Sequence, residues 1–146
     1  MGLHGDGGGG GLRARRLPDG GWCLNNAGLL LGGGTAVLVD TAATEARARR
    51  LRQLAVTAAG AIPKVIVNTH AHGDHTFGNS VFPEALVMGH EGMRAEAERA
   101  GLHLTMLWPE VEWGKIEVVL PQVTFREPIA ARLGLLMYLA ADPGLW

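Results

Sequence analysis

The sequence predicts an α/β fold, and three observations carry that reading. Short β-branched runs alternate along the chain with segments whose apolar residues recur at helical spacing. The two helical segments are bounded by capping and stop residues. A polar cluster, His70-Ala71-His72-Gly73-Asp74-His75, follows directly on one β-branched run, at the strand end where a rigid scaffold carries chemistry.

Residues 1–17 read as a disordered leader, because the Gly7–Gly11 run and Arg13, Arg15 and Arg16 bury little apolar surface. The domain is expected over 18–146. Trp22 to Leu31 and Thr35 to Val39 are apolar runs around Gly32-Gly33-Gly34 and predict a β-hairpin. Leu51, Leu54, Ala55 and Ala58 then fall at i, i+3, i+4 and i+7, with Arg47, Arg49, Arg50 and Arg52 directed to solvent. That pattern predicts an amphipathic helix, with Thr44 as N-cap, Glu45 in its first turn and Gly60 as its stop.

Lys64-Val65-Ile66-Val67 predicts a short buried strand leading into the histidine cluster. Phe77 to Phe82 reads as a helical turn stopped by Pro83, and Leu86-Val87-Met88 as a strand. Glu91 to Ala100 is a second helix, with Met93, Ala97 and Ala100 on one side and Gly101 closing it. Val118 to Leu120 and Val123 to Phe125 predict strands separated by Pro121, and Arg132 to Ala140 is an apolar run of unassigned type.

Composition narrows the class of function. A chain of 146 residues with 47% hydrophobic residues can form one domain with a core. A net charge of −1 argues against a nucleic-acid binder, which needs a basic face. Cys23 is the single cysteine, so no intrachain disulfide forms. No apolar run reaches the length that spans a membrane, and Leu17-Pro18-Asp19-Gly20-Gly21 after the arginines does not read as a signal peptide. A cytoplasmic protein is expected.

Three His and one Asp within six residues form a metal-ligand cluster. Imidazole nitrogen with a carboxylate oxygen suits zinc and tolerates iron or manganese. In extended chain, residues two apart face the same way, so His70 and His72 can share an ion. Asp74 continues that face and His75 turns to the other side, so one loop can serve two adjacent ions, with Gly73 permitting the bend. Zinc lowers the pKa of its water to about 7 and polarises a carbonyl. An unligated Asp74 is the candidate general base beside the first ion.

Thr69-His70-Ala71-His72-Gly73-Asp74-His75 resembles the HxHxDH signature of the metallo-β-lactamase superfamily. Val37-Leu38-Val39-Asp40-Thr41 resembles that family's strand ending in Asp-Thr or Asp-Ser, Val65 to Thr69 the strand feeding the metal loop, and Phe77-Gly78-Asn79 the stretch after it. The resemblance covers roughly residues 20–125 and implies an αββα sandwich, here its N-terminal half plus a few strands. It implies that His70 and His72 bind a first metal ion, and Asp74 and His75 a second.

The family completes both sites from the second half of its fold. Here no His follows His103, and the only late Asp is Asp142, in an Asp142-Pro143-Gly144 setting unlike the family's. A C-terminally truncated domain is therefore expected, with its apolar half-sandwich face exposed for self-association.

Other residues read as structural. His90 and His103 lie outside any metal-ligand spacing, His4 lies in the leader, and Cys23 stands in a strand without an activating neighbour. Ser80 lacks the Gly-x-Ser-x-Gly setting of a serine hydrolase. Trp108 and Trp113 bracket Pro109 to Glu112 and either pack a long loop or line a substrate pocket.

The function expected first is a zinc-dependent hydrolase in which hydroxide formed at the ion attacks an ester, thioester or lactam-like carbonyl of a small molecule. Residues 21–28 and 107–114 are similar to segments of zinc-dependent aromatic-polyketide cyclases within the same superfamily, which makes aldol-type ring closure the alternative. An inactive fragment lacking its C-terminal ligands is the third.

Overall fold

The structure is a computed structural model that describes residues 25–127 in full and 11–13, 129–133 and 135–139 as strands. The expectations for His4, Cys23 and Asp142 lie outside the described residues.

The order of elements is β1 (Gly11–Arg13), β2 (Gly28–Gly32), β3 (Thr35–Val39), α1 (Glu45–Ala59), β4 (Val65–Asn68), α2 (Gly73–Thr76), a 3-10 turn (Phe77–Val81), β5 (Leu86–His90), α3 (Glu91–Ala100), α4 (His103–Leu107), β6 (Val123–Phe125), β7 (Ile129–Leu133) and β8 (Leu135–Leu139). The first six strands form one sheet in sequence order, and β7 pairs with β8 separately. The pairings β1–β2 and β2–β3 are antiparallel, whereas β3, β4, β5 and β6 run parallel. Between β2 and β3 only Gly33 and Gly34 remain unpaired, with φ of 56° and 77°. Two consecutive positive φ values match a two-residue hairpin turn to the twist of its strands, which explains glycine at both places.

The core lies between one face of the sheet and α1 with the 3-10 turn. Leu38, Ile66 and Val87 are register neighbours on β3, β4 and β5 and pack with Leu51, Ala55 and Phe82. Leu38, Ile66, Val87 and Phe82 are all at most 1% exposed, and each such burial contributes about 1.5–3 kcal/mol. The alternate residues Val37 and Val67 are buried on the opposite face, beside half-covered Leu30, Val65 and Met88.

Helix α1 has the expected caps: the Thr44 side chain accepts from the Arg47 amide, and Gly60 at φ 74° closes it. Its buried face differs from the expected one. Ala48, Leu51 and Ala55 face the core, Leu54 is 44% exposed, and Arg47 is buried. The cause is a close approach: a Cβ on Gly78 would stand 2.7 Å from Ala48 Cβ, so small residues set the contact stripe and the bulky Leu54 turns out. Arg52 is likewise no freely solvated charge. It pairs with Glu84 at 2.6 Å and lies 5.5 Å from the Phe82 ring centroid.

Three further expectations change. Gly11–Arg13, inside the expected leader, pairs with β2 through backbone bonds that an otherwise open strand edge offers to any sequence. Val118 to Leu120 form no strand; Asn79 Nδ2 donates to Val119 O at 3.4 Å. The unassigned apolar run from 132 lies largely in the β7–β8 hairpin. Among the described residues, no helix is long and apolar enough to cross a membrane.

Candidate metal centre

Parallel strands present their C-terminal ends on one edge, and the loops beyond that edge are where α/β sheets hold ligands. Here Asp40 directly follows β3, Thr69 and His70 directly follow β4, and β5 ends at His90. The Asp40 amide donates to Val67 O at 2.9 Å, which ties the end of β3 to β4. Asp40 itself adopts φ 59°, a left-handed conformation that a short polar side chain tolerates.

The buried carboxylate of Asp40 organises the site. Its Oδ1 accepts from the Thr69 amide at 2.7 Å, and its Oδ2 accepts from Thr69 Oγ1 at 2.6 Å. His75 Nδ1 stands 2.8 Å from the same Oδ2. Thr69 Oγ1 also lies 2.9 Å from His70 Nδ1. A hydroxyl has one proton, and the carboxylate claims it, so His70 must donate from Nδ1 to Thr69. Both imidazoles therefore have Nδ1 anchored, His75 directly and His70 through Thr69, which leaves Nε2 as the remaining ring nitrogen of each, that of His75 beside Asp74. That is the orientation in which histidines ligate metals, with a carboxylate behind them.

Asp40, His70 and His75 bring one potential ligand atom each within 4.8 Å of one another. The oxygens of Asp40 are already engaged by Thr69 and His75, which makes Asp40 the orienting group. The His70 ring lies 4.1 Å from that of His75 and 4.6 Å from that of exposed His72, centroid to centroid. Asp74 Oδ2 is 3.3 Å from His75 Nε2.

This geometry corrects the extended-chain expectation. Helical structure begins at Gly73, and the His72 carbonyl accepts from the His75 amide at 2.9 Å. The turn carries His75 round to His70, instead of to the opposite side, and sets Asp74 against His75. The role of Gly73 is also different: its φ is ordinary, but its missing side chain makes room for the Phe77 ring.

The electrostatics fit a cation. Burial pulls the His75 pKa down, yet hydrogen bonds to Asp40 and Asp74 and the charges of both carboxylates outweigh it and push the value up to about 9. For His70, burial and the neighbouring His75 hold the pKa below its ordinary value, against the pull of Asp40. His70 and His75 are the residues that would hold a divalent cation here, in place of the Nε2 proton that His75 directs at Asp74. Two oriented imidazoles with a third beside them and a carboxylate at hand form a donor set suited to zinc.

The remaining candidates take structural places. His90 Nδ1 accepts from the Gly92 amide at 3.1 Å and caps α3, which puts its ring proton on Nε2 and leaves no lone pair there for a metal. Exposed His103 stands 3.1 Å from Ala100 O through Nδ1, and Ser80 Oγ donates to Phe77 O. Trp113 is buried with Ala43, Phe77 and Ile116, with Trp108 packed against them. Sequence reasoning assigns no role to Asp40 or Thr69. Their signal in the sequence is a polar pair at the close of each of two β-branched runs, Asp40-Thr41 and Asn68-Thr69.

No curated protein matches the chain. Among solved structures, the metallo-beta-lactamase of Hirschia baltica superposes with a TM-score of 0.55 at 18% identity, covering 73% of this chain and 44% of that one. The metallo-beta-lactamase of Pontibacter korlensis gives 0.54 at 22% identity, covering 76% and 45%. The subclass B3 metallo-beta-lactamase of Bradyrhizobium japonicum gives 0.54 at 22% identity, covering 75% and 42%. The chain thus shares their fold and spans less than half of their length. The model of the metallo-beta-lactamase superfamily matches residues 20–135. That match takes in β2 to β6, the helices and the whole histidine segment, and the chain belongs to the metallo-beta-lactamase superfamily.

Proposed function

We propose that this protein is a zinc-dependent hydrolase of small molecules, acting on an ester, thioester or lactam-like carbonyl. The observation that carries the reading is the single Asp40 carboxylate fixing Nδ1 of His75 directly and Nδ1 of His70 through Thr69. His70, His72, Asp74 and His75 would hold the metal, in one site or two. When bound, zinc supplies a water that ionises near neutral pH and polarises the carbonyl under attack. Asp40 keeps the rings in the ligating tautomer. Asp74, where not engaged as a ligand, accepts the proton of the attacking water.

The test is metal content of the purified full chain, with turnover of chromogenic ester, thioester and β-lactam substrates. Stoichiometric zinc, and turnover lost in His72→Ala, are expected. Protein that takes up no zinc, or turnover untouched by His72→Ala, removes the proposal.

A second reading is a metal-binding chain without turnover. It predicts zinc uptake with no hydrolysis of any of the three substrate classes. Self-association through the half-covered Leu30, Val65 and Met88 face belongs to this reading and would show as a dimer in size-exclusion chromatography. The ring-closing alternative draws on residues 21–28 and 107–114; in the second of these segments Trp113 packs in the core beside Phe77.

A further inference from the structure

We propose that Thr41, Asn68 and Asn79 form a buried positioning device that fixes the metal-facing direction of His75 through its backbone carbonyl. This rests on the reading of His75 as a metal ligand. The three side chains are 0%, 2% and 1% exposed. Burying three polar groups is unfavourable unless each is paired, so an apolar trio would serve simple packing better. Here they pair with one another and converge on one atom. The His75 carbonyl accepts from the Thr41 amide at 2.8 Å and from Asn68 Nδ2 at 3.2 Å, and Thr41 Oγ1 stands 2.9 Å from it.

Asn79 closes the arrangement. Its Nδ2 donates to Asn68 Oδ1 at 2.7 Å, and its Oδ1 lies 3.3 Å from Asn68 Nδ2 and 3.0 Å from Thr41 Oγ1. The single Thr41 hydroxyl proton therefore has two acceptors in reach, His75 O and Asn79 Oδ1. The three residues come from the ends of β3 and β4 and from the 3-10 turn, so the network joins the elements that surround the metal turn. His75 is thus held at two points. Asp40 fixes the ring nitrogen, and the buried trio fixes the peptide. A ring held at both ends loses little freedom when a metal binds, which is how surrounding groups raise ligand affinity.

The experiment is cobalt(II) binding to the full chain, read by its visible spectrum and by competition with a chromophoric chelator. The variants are Thr41→Val, which removes the hydroxyl at constant shape and keeps the amide bond, Asn79→Leu, and the conservative Thr41→Ser. Thr44→Val, at the cap of α1, is the control for lost stability alone. Cobalt affinity is expected to fall about 10–100-fold in Thr41→Val, with an altered spectrum, and to return in Thr41→Ser. Thr44→Val is expected to lower the melting temperature while leaving affinity and spectrum unchanged. Thr41→Val protein that melts lower but binds cobalt like the parent overturns the proposal, whether or not Asn79→Leu folds. A parent chain that binds no cobalt overturns the metal reading itself, and this inference with it.

Discussion

Gly73 and Phe77 are in closest approach beneath the metal turn: a Cβ on Gly73 would stand 2.5 Å from Phe77 Cε2 and 2.7 Å from Cε1. Phe77 cannot retreat, since its ring rests edge-on against Trp113 at 5.9 Å between centroids. Gly73→Ala is therefore expected to destabilise the fold by about 1–3 kcal/mol through overpacking. Adding Phe77→Leu should recover part of that loss, because the two residues share one space. Urea denaturation of the single and double variants measures both effects. Strictly additive losses would show that the contact is not the cause.

Asp40→Asn keeps the shape of the side chain but removes the charge and offers only one acceptor oxygen to the three donors around it. Zinc affinity is expected to drop about 10–100-fold, while the protein stays folded. Chelator competition alongside circular dichroism checks this. Unchanged affinity would mean that the rings of His70 and His75 do not depend on Asp40 for their orientation.

Trp113 is buried against Phe77, and the loop carrying it is strapped to α1: the Glu45 amide donates to Trp113 O at 2.9 Å, and Glu45 Oε2 accepts from the Lys115 amide at 2.6 Å. Trp113→Ala is expected to cost about 3–5 kcal/mol, a large share of the stability of a small domain. Thermal melting reads it. A near-normal melting temperature would show that the loop can leave the core without loss.

The Arg52 hydrogen bond, then a backbone hydrogen bond at Glu84 itself, with the charges of Arg52 and Lys64, hold the Glu84 carboxyl down at about 2, against an opposing effect of burial. The folded value lies below the ordinary one of 4.5, so this contribution to stability is present above pH 4.5 and is lost as pH falls towards 2. The pair is partly exposed at the surface and its contribution is small. Glu84→Gln should flatten the decline in urea midpoint between those pH values. An unchanged acid limb would remove Glu84 from the account.

The parts of the fold written in local spacing were legible from the sequence. The caps of α1, the extent of α3 and the hairpin glycines each depend on neighbours within a few residues. The buried face of α1 was not legible, because Gly78 and Ala48, thirty residues apart, decide which side of the helix can approach closely. The same limit divides the site. The histidine segment stands out by composition alone, whereas Asp40 reaches Thr69 and His75 only through the parallel register of β3 with β4. The position of His75 also escaped, since a single helical turn of four residues leaves no periodic trace.

Because one carboxylate holds two rings, the centre is wired in series. An error at Asp40 reaches His75 at once and His70 through Thr69, whereas His72 stands outside that chain and an error there stays local. Damage at residue 40 and at residue 72 should therefore look different even when the loss of metal is equal: the first loosens two neighbours together, the second removes one donor from an otherwise intact frame.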